Sequence, residues 1–468
     1  MIPLSVAQLA GLAGAALDQV PDPEAIVSGP VVIDSREVRP GALFAALPGT
    51  RADGHDFAAA AVASGATAVL ASRPVGGPAL IVSDVQAALG DLAAAVVRRL
   101  PGLTIAGITG SAGKTTTKDL TAQLVETLGP TVSNRGSFNN EIGHPLTVLR
   151  VTEQTRYLIS ELSARGPGHI AALCAIAPPR LGAVLSVGHA HAGEFGGIEQ
   201  VARAKSELPA ALPAATMGGV AVLNADDPRV LAMAGVTAAR VVTFGRAAAA
   251  DVRAVGVTSD EAGRAGFTLV TPEGSAPVQL RLHGEHHVSN ALAAAALAAE
   301  LGMAADAIAA GLTEALPRSR WRMEVTRRAD GVTIVNDAYN ANPESLRAAL
   351  ATLAAMTDGG RRHRGFAVLG LMTELGDQEE EFHEEAGRLA ARAGLAGLIV
   401  VGDAAAPILT GAKAVPSWSG EMLHVPDKAA ALAALEDRLR DGDVVLVKAS
   451  HSIGLEDVAL ALTGERPL

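Results

Sequence analysis

A glycine-rich octapeptide between an apolar run and a helical stretch restricts the fold of this chain more than any other feature. It reads Thr109-Gly110-Ser111-Ala112-Gly113-Lys114-Thr115-Thr116 and follows the strand-like residues 103–108. Glycines let backbone N–H groups turn towards a phosphate, and the N-terminus of the next helix adds the positive end of its dipole. Lys114 can reach the β- and γ-phosphates, and the Thr115 hydroxyl suits a Mg²⁺ ligand. The pattern therefore predicts that residues 110–116 bind a nucleoside triphosphate.

The loop is shorter than the strict G-x-x-x-x-G-K-[ST] pattern, because Ile108 stands where the first glycine would be. A chance Gly-Lys-Thr in a glycine-rich turn is the alternative interpretation. The strand–loop–helix context favours a shortened phosphate loop.

Short apolar runs alternate with helical patterns along the rest of the chain, which predicts an α/β protein. Such runs lie at 155–159, 181–187, 220–223, 240–244, 332–336, 365–369, 398–401 and 444–447. This alternation is typical of βαβ units in mostly parallel sheets, whose ligands bind at the carboxyl ends of the strands. Residues 251–282 interrupt it with a meander of short strands, and an alanine-rich helix is expected at 290–301.

The length of 468 residues predicts about three domains. We expect a small N-terminal mixed α/β domain at 1–84, a central parallel-sheet P-loop ATPase domain at 85–316 and a C-terminal Rossmann-like α/β domain at 317–468. These ranges are called the amino-terminal, central and carboxyl-terminal blocks below. Residues 85–100 are expected to be helical. Residues 1–20 lack Lys and Arg, so we expect an amphipathic helix there rather than a secretion signal.

The composition excludes several classes of protein. Lys and Arg number 38 against 49 Asp and Glu, and the resulting net charge of −11 repels nucleic-acid backbones. No run of about 18 apolar residues occurs, which excludes a membrane span. The single cysteine, Cys174, excludes an intramolecular disulfide and suits a reducing compartment. We therefore expect a soluble, cytoplasmic monomer with no nucleic-acid partner and no membrane insertion.

Two residues at strand ends beside the loop are candidates for a metal site. Glu161 ends one predicted strand, and His191 follows the run at 181–187. Because the carboxyl ends of parallel strands share one edge of a sheet, this carboxylate and imidazole would lie beside the triphosphate. His189 is a nearby competitor that we rank lower. Taken singly, each residue is more often a surface acid or a hydrogen-bonded histidine.

The Thr-Gly-Ser-x-Gly-Lys-Thr-Thr loop resembles that of the Mur ligases, ATP-dependent amide-forming enzymes of peptidoglycan synthesis, and that of the related folylpolyglutamate synthetases. Glu161-Leu162, Pro167-Gly168-His169-Ile170, Ala190-His191 and Phe195-Gly196 extend the resemblance. It implies ATP and two Mg²⁺ ions, one held by Thr115 and the other by Glu161 and His191. Lys205 matches a lysine that the family carries as a carbamate. The implied catalytic residues are Lys114, Lys205, Glu161 and His191.

Two further segments resemble nucleotide-binding parts of the family. Gly284-Glu285-His286-His287-Val288-Ser289-Asn290-Ala291-Leu292 is similar to a Gly-x-His-Asn-x-x-Asn-Ala segment. This likeness implies an adenine contact by Asn290, while His287 replaces the first asparagine. Ser289 as a helix N-cap is the plain alternative. Arg322 matches an arginine that approaches the nucleotide phosphates, and a solvated basic patch with Arg318 and Arg320 is the rival interpretation.

Three strings imply substrate contacts. Ser137-Phe138-Asn139-Asn140-Glu141 presents an uncharged amide pair, for which a turn is the alternative role. Asn336-Asp337-Ala338-Tyr339-Asn340-Ala341-Asn342-Pro343-Glu344-Ser345, called the 336–345 string below, resembles that of the Mur ligases that add D-alanyl-D-alanine. The implied substrate residues are Asn139, Asn140, Tyr339, Asn340 and Asn342, with Asp337 at ATP. Asp34-Ser35-Arg36 resembles part of the family's uridine-binding domain, and Ser35 is the expected UDP contact.

The resemblance spans all three blocks, with departures at Leu371, where an acidic residue is usual, and at His451, where an arginine is usual. It implies that UDP-N-acetylmuramoyl-tripeptide and D-Ala-D-Ala are joined through an acyl phosphate, with release of ADP and phosphate. Two alternatives stay open. One is a sibling ligase that adds diaminopimelate or lysine to the UDP-N-acetylmuramoyl-dipeptide. The other is a non-ligase P-loop ATPase or regulatory partner of cell-wall proteins.

Overall fold

The structure is a computed structural model that describes residues 1–49, 52–189 and 192–466. These residues form three large sheets in chain order and one short strand pair. Parallel pairing predominates in all three sheets, which confirms the predicted α/β class. None of the helices within the described ranges is long and apolar enough to cross a membrane.

The amino-terminal block is built on a five-stranded sheet. Its elements, with the helix that follows them, are β1 (Leu4–Ser5), α1 (Val6–Ala13), β2 (Ala16–Asp18), β3 (Ile26–Val27), β4 (Val31–Val32), β5 (Ala42–Ala45), α2 (Ala58–Ala63), β6 (Ala66–Ala71), β7 (Ala79–Ile81) and α3 (Val85–Arg98). The strand order is β2-β7-β6-β5-β4. β4 to β7 pair in parallel, β2 is antiparallel to β7, and β1 pairs with β3 outside this sheet.

The prediction of one helix over residues 1–20 is wrong in extent. Helix α1 covers only Val6–Ala13, and β1 and β2 flank it. Ser5 and Gln8 form a capping box at its start, and Gly14 ends it in the left-handed conformation at φ 62°. A glycine adopts this conformation without the clash of a Cβ, so the turn residue interrupts an otherwise continuous apolar pattern.

Helix α3 links the amino-terminal block to the central sheet. Asp84 caps its start by accepting a hydrogen bond from the Ala87 N–H at 3.0 Å. Leu89 and Leu92 on its apolar face belong to one hydrophobic core together with Leu9 of α1 and Leu158 of the central block. The two blocks therefore share a core, and the domain boundary at residue 84 stays a prediction.

The central block contains a nine-stranded sheet. Its elements are β8 (Thr104–Thr109), α4 (Lys114–Val125), β9 (Thr131–Ser133), α5 (Gly143–Val148), β10 (Tyr157–Glu161), α6 (His169–Ile176), β11 (Leu181–Val184), α7 (Ala192–Phe195), α8 (Ile198–Ala211), β12 (Val220–Asn224), α9 (Pro228–Leu231), β13 (Arg240–Gly245), β14 (Val252–Ser259), β15 (Arg264–Thr271), β16 (Gly274–His283), α10 (His287–Glu300) and α11 (Ala305–Glu314). The order is β16-β15-β14-β13-β12-β11-β8-β10-β9. Pairing is parallel from β9 to β14 and antiparallel over β14 to β16, where the meander was predicted.

Helix α10 packs against both the central sheet and helix α4, which itself contacts β8, β9 and β10 of that sheet. Residues 291–298 are alanine or leucine and are fully buried. Small alanine side chains let the two helices approach closely, so the phosphate-loop helix is held by a short-range apolar contact. Helix α10 begins at His287, and Ser289 therefore lies inside it. The alternative role of Ser289 as an N-cap is wrong.

The carboxyl-terminal block carries a six-stranded sheet. Its elements are β17 (Glu324–Arg327), β18 (Thr333–Asn336), α12 (Pro343–Thr357), β19 (Gly365–Leu369), α13 (Glu379–Arg392), β20 (Gly397–Val401), α14 (Pro407–Lys413), β21 (Glu421–Val425), α15 (Lys428–Glu436), β22 (Val444–Lys448) and α16 (Glu456–Leu462). The order is β17-β18-β22-β19-β20-β21, and all pairs except β17 with β18 are parallel. The edge strands β17 and β21 escaped the sequence analysis, because neither is buried on both faces and neither forms a continuous apolar run.

Strand register brings three loops of the central block together. Glu161 at the end of β10 pairs with Ile108 of β8, and Val184 at the end of β11 pairs with Thr109. The phosphate loop therefore lies between Glu161 and the segment that follows β11.

Candidate active site

A cavity of about 550 Å³ lies between the strand ends of the central sheet and the loop before α12. It collects most of the residues that the sequence singled out. Those that line it are Ser111, Ala112, Gly113, Lys114, Thr115, Thr116, Asn139, Asn140, Glu161, Asn290, Arg322, Asp337, Tyr339, Asn340 and Asn342. Gly110, Lys205 and Ser35 are not part of its lining, and His191 lies outside the described residues.

The phosphate loop has the backbone conformation that its glycines predict. Gly113 precedes α4 with φ 81°, and Gly110 has φ 156°. A Cβ on Gly113 would overlap the Asn290 amide oxygen, and one on Gly110 would lie 2.9 Å from Leu185 Cβ. Both positions therefore need glycine for space, and Gly113 needs it also for its left-handed backbone.

The segment after β11 supports the loop from the side. The Ser111 N–H donates to the Ser186 carbonyl at 2.9 Å, and the Ala112 N–H donates to Ser186 Oγ at 3.3 Å. The Gly188 N–H donates to Ser111 Oγ at 2.8 Å, and that hydroxyl donates to the Gly188 carbonyl at 3.2 Å. Four hydrogen bonds therefore connect the loop to residues 186–188, which no sequence motif singled out.

Lys114 bends back over its own loop. Its Nζ donates to the Gly110 carbonyl at 2.8 Å. Burial lowers the pKa of the Lys114 ammonium, the Glu161 carboxylate opposes this shift, and Arg322 adds to it. A buried cation is stabilised by an anion, so a phosphate group at the loop would complete the charge balance of the cavity.

Glu161 offers an unsatisfied carboxylate oxygen. Its Oε1 accepts from the Asn139 amide at 2.6 Å, and its backbone N–H donates to Asn134 Oδ1 at 2.6 Å. The side chain is buried, and Oε2 has no hydrogen-bond partner within the described part of the chain. Thr115 lies in the first turn of α4 on the same cavity. Carboxylate and hydroxyl oxygens are ligands that Mg²⁺ prefers, so these residues fit a divalent cation.

His189, the lower-ranked metal candidate, is engaged elsewhere. Its ring Nδ1 lies 2.8 Å from Glu344 Oε1, and its ring packs 4.8 Å from that of Phe382. These two contacts explain the position of the His189 imidazole without a metal ion.

Lys205 is buried in helix α8. Burial lowers the pKa of Lys205 well below its ordinary value, and the charge of Lys114 lowers it further. A lowered pKa increases the share of neutral amine, which is the form that can add CO₂ to give a carbamate. The structure is thus compatible with the expected carbamate, which stays a prediction.

Asn290 packs against the phosphate loop from helix α10. Its Oδ1 accepts from Thr117 Oγ1 at 3.4 Å, and its Nδ2 lies 3.1 Å from His287 Nδ1. Burial lowers the pKa of His286 to about 4 and that of His287 well below its usual value. Both rings are therefore neutral near pH 7, and His287 contacts Asn290 as an uncharged group. The adenine contact of Asn290 stays a prediction.

Arg322 differs from the two arginines that precede it. Its Nη2 donates to Ser137 Oγ at 2.9 Å, and its guanidinium lies over the Tyr339 ring, 4.1 Å from the ring centre. Arg318 instead forms a forked ion pair with Glu126 at 2.5 and 2.6 Å. Arg320 pairs with Glu465 at 2.5 Å. Of the three, only Arg322 lines the cavity, which argues against the solvated basic patch at this position.

Asp337 is held by a lysine that the sequence analysis left without a role. Lys448 at the end of β22 is 2% exposed, and its Nζ lies 2.6 Å from Asp337 Oδ2 and 2.8 Å from the Asn340 carbonyl. Asp337 Oδ1 also accepts from the Met323 N–H at 3.0 Å. β18 and β22 are parallel neighbours, so Asp337 and Lys448 lie at the same edge of the sheet. That shared edge is the signal from which their contact could have been predicted.

Several of the asparagines predicted to bind substrate form hydrogen bonds within the protein. Asn342 is the N-cap of α12 and accepts from the Ser345 N–H at 2.8 Å. Asn140 Oδ1 accepts from the Gly143 N–H at 2.9 Å, in the turn that was its alternative role. Asn340 Oδ1 accepts from the N–H of the next residue at 2.9 Å. All three still line the cavity, so their part in binding stays a prediction.

A second cavity of about 450 Å³ opens beside the first, lined by Ile33, by residues of the 135–146 segment and by Tyr339. It brings the amino-terminal block to the edge of the site. Ser35 lies two residues beyond Ile33, in a single turn of 3₁₀-helix capped by Asp34. Ser35 lines neither cavity, and its UDP contact stays a prediction.

Comparison with known proteins agrees with this arrangement. Models of three protein domains match the chain: Mur ligase family, catalytic domain, at residues 30–110, Mur ligase middle domain at 108–298, and Mur ligase, glutamate ligase domain, at 321–451. The chain belongs to the Mur ligase family.

Within that family the chain is similar to ligases that are named for D-alanyl-D-alanine. It is 47% identical to the UDP-N-acetylmuramoyl-tripeptide–D-alanyl-D-alanine ligase of Mycobacterium leprae (strain TN), with 99% of each chain covered. The crystal structure of MurF from Acinetobacter baumannii superposes with a TM-score of 0.86 at 31% identity over 99% of each chain. That of the MurF ligase from Thermotoga maritima in complex with ADP has a TM-score of 0.80 at 30% identity, covering 94% of this chain and 98% of the other.

Proposed function

We propose that this protein joins D-alanyl-D-alanine to UDP-N-acetylmuramoyl-tripeptide, with conversion of ATP to ADP and phosphate. The observation that carries the proposal is that the phosphate loop, the Glu161 carboxylate and the 336–345 string all line one cavity. The relative from Mycobacterium leprae, whose name states this reaction, supports it over the full length of the chain.

ATP would bind with its phosphates on residues 110–116. Backbone N–H groups and the start of α4 suit the phosphate oxygens, and Lys114 would turn from the Gly110 carbonyl to the terminal phosphates. Arg322, already fixed over Tyr339, suits forked contact with a phosphate. Asn290 and Asp337 complete the proposed nucleotide contacts. Binding of ADP by the Thermotoga maritima relative supports this assignment.

The family resemblance implies two Mg²⁺ ions. They would be held by Thr115, Glu161 and His191. Bound Mg²⁺ supplies positive charge that offsets the repulsion between a carboxylate and the γ-phosphate. The free Oε2 of Glu161 is the observation that favours a cation there. A carbamate on Lys205 would add an anion close enough to Lys114 for the two charges to interact.

The peptide substrates would occupy the remaining walls. Asn139 and Asn140 would contact the tripeptide, Tyr339, Asn340 and Asn342 the incoming dipeptide, and Ser35 the UDP portion. In this arrangement residues 1–84 bind the UDP precursor, 85–316 bind ATP and 317–468 bind D-Ala-D-Ala. The cavity at Ile33, which borders the main one, supports a path from the amino-terminal block to the phosphate loop.

The reaction divides into two steps. The terminal carboxylate of the tripeptide attacks the γ-phosphate to give an acyl phosphate and ADP, and Lys114 stabilises charge on the transferred group. The D-Ala-D-Ala amine then attacks the acyl carbon, forms the amide bond and releases phosphate. The carboxyl-terminal block would cover the cleft, because an acyl phosphate is lost to hydrolysis wherever water reaches it. We expect the enzyme to act as a cytoplasmic monomer.

The Lys114→Ala variant tests the proposal. It should abolish ADP release with UDP-N-acetylmuramoyl-tripeptide and D-Ala-D-Ala while its circular dichroism matches the wild-type protein. Full turnover in this variant would contradict the assignment of the phosphate loop.

A substrate panel separates the proposal from its two alternatives. Release of ADP that requires UDP-tripeptide and D-Ala-D-Ala together supports it. Release with UDP-dipeptide and diaminopimelate or lysine would favour the sibling ligase. Release that needs no amine at all would favour a P-loop ATPase.

A further inference from the structure

Glu344 reaches from the carboxyl-terminal block into the central block. It is the second residue of α12, whose start is fixed by the Asn342–Ser345 capping box. Its Oε1 accepts from the His189 N–H at 3.0 Å and lies 2.8 Å from the ring Nδ1 of the same residue. The carboxylate lies directly over Gly188, where an added Cβ would be 2.6 Å from Glu344 Cδ.

The residues that Glu344 contacts are next to those that support the phosphate loop. Gly188 exchanges two hydrogen bonds with Ser111, and Ser186 receives two from the backbone of Ser111 and Ala112. Glu344 thus bonds to His189, and the backbone of residues 186–189 joins that contact to the hydrogen bonds that Ser186 and Gly188 make with the loop.

We propose that Glu344 is a positioning residue that couples the docking of the carboxyl-terminal block to the geometry of the phosphate loop. The inference rests on the proposed function for its kinetic consequences, because it places the coupling between the dipeptide side and the ATP side of that reaction. When the block is docked, the carboxylate holds residues 186–189 against the loop. When the contact is lost, residues 186–188 can still bond to the loop, but the carboxyl-terminal block no longer holds them in place.

The geometry sets the size and kind of the effect. Hydrogen bonds to an ionised carboxylate are stronger than neutral ones, and their loss corresponds to about a tenfold to a hundredfold change in an equilibrium or rate. A looser cleft also admits water to the acyl phosphate. The loss of Glu344 should therefore separate ADP release from peptide-bond formation, which a general loss of folded enzyme does not do.

The first experiment measures ADP and ligated product in the same reaction, with ATP, UDP-N-acetylmuramoyl-tripeptide and D-Ala-D-Ala. The wild-type enzyme should release as many ADP molecules as product molecules. Glu344→Ala should make product about tenfold to a hundredfold more slowly and release an excess of ADP. Glu344→Gln keeps an acceptor oxygen for the His189 N–H and should restore most of the coupling. A slower Glu344→Ala enzyme with unchanged stoichiometry would overturn the proposal.

Gly188→Ala tests the same contact from the other side. The new Cβ would displace the Glu344 carboxylate, and Gly188 keeps an ordinary backbone conformation, so strain adds nothing. This variant should reproduce the excess of ADP, and the Gly188→Ala/Glu344→Ala double variant should be no worse than either single one. Independent, multiplying effects would contradict the proposal.

Glu126→Gln is the matched control. Glu126, at the far end of α4, also joins the central block to the carboxyl-terminal block, through Arg318, but it does not touch residues 186–189. It should keep the wild-type stoichiometry and a rate within about twofold, as expected for an exposed ion pair.

Amide hydrogen exchange without substrates makes the test independent of the proposed reaction. Peptides covering residues 109–116 and 185–189 should exchange faster in Glu344→Ala than in the wild-type protein, and no faster in Glu126→Gln. Unchanged exchange in Glu344→Ala would overturn the coupling even if the ligase reaction is confirmed. If Glu344→Ala exchanges faster but the wild-type protein does not ligate D-Ala-D-Ala, the coupling is supported and the proposed function is rejected.

Discussion

The phosphate loop and the 336–345 string form two walls of one cavity, but the protein builds them differently. The loop works through its backbone, with Gly110 and Gly113 in conformations that a Cβ would obstruct. The string works through side chains that are largely committed to other residues. Asn342 caps α12, and Asp337 is bound to Lys448.

This difference separates local from long-range information in the sequence. A backbone site needs only a strand, a few glycines and a helix in succession, and all three lie within 13 residues, from Thr104 to Thr116. A side-chain site needs partners that the fold supplies from a distance. Lys448 lies 111 residues from Asp337 in the chain, and Glu344 lies 155 residues from His189. The first wall is therefore the one in which a single small substitution should be most damaging.

Gly113→Ala should give the largest effect and would sharpen this contrast. The new Cβ would overlap the Asn290 amide oxygen at a residue with φ 81°, where an L-residue costs about 1–2 kcal/mol before any clash. We expect nucleotide binding to be lost and ADP release to fall by at least about a hundredfold, since backbone N–H groups could no longer converge on phosphate. Isothermal titration with ATP and an ADP-release assay would measure both.

Gly102→Ala is the control for that substitution. Gly102 precedes β8, has no positive φ, and a Cβ there would meet nothing within 4 Å. It should leave ATP affinity and turnover unchanged. Wild-type ATP binding by Gly113→Ala would break the claim that the loop acts through its backbone.

The difference between local and long-range information explains which sequence predictions the structure confirmed. The α/β class and the core strands follow from local apolar runs, because strands buried on both faces must be apolar throughout. Edge strand β17 reads Glu-Val-Thr-Arg and gave no such signal. The roles of Ser186, Glu344 and Lys448 could not be derived from their neighbours in sequence, since each depends on a contact between distant elements. The prediction of a helix over residues 1–20 was wrong in extent, because Gly14 ends the helix within an otherwise apolar pattern.

Arg322→Ala should give an intermediate effect and tests a side-chain contact at the same cavity. Removal of the guanidinium takes away a charge-assisted contact, so we expect kcat/KM for ATP to fall about tenfold to a hundredfold. The Ser137 and Tyr339 contacts hold that group at the cavity in advance of any ligand. Steady-state kinetics of ADP release at saturating peptide substrates would measure the change.

Arg320→Ala is the matched variant two residues away. Its ion pair with Glu465 is about half exposed, and such pairs contribute little. We expect a change in kcat/KM within about twofold. Equal losses of kcat/KM for the two arginines would favour the solvated basic patch. They would contradict a specific contact of Arg322 at the cavity.

Acid sensitivity should give the smallest effect, and it compares a histidine at the cavity, His286, with a buried histidine outside it, His144, by stability rather than activity. Burial lowers the pKa of His144, in α5, to about 4, and it does the same for His286, beside Asp337 and Lys448. The unfolded chain, with an ordinary histidine pKa of 6.5, binds more protons than the folded protein between pH 6.5 and about 4. Stability therefore falls as the pH falls through this window. Each histidine should lower the free energy of unfolding by about 1 kcal/mol between pH 6.5 and 5.5.

Urea unfolding of His144→Gln and His286→Gln at these two pH values would assign the losses. Each variant should lose about half of the combined pH dependence of the two residues, because glutamine does not titrate. His286 faces Asp337, which opposes the shift in its pKa, and Lys448, which adds to it. Burial lowers the pKa of His144, and the Leu173 backbone, not a charged side chain, opposes that shift. An added Lys448→Met substitution should therefore alter the pH dependence that His286 contributes and leave that of His144 unchanged. If both contributions changed together, the effect of Lys448 would not be confined to the histidine beside it.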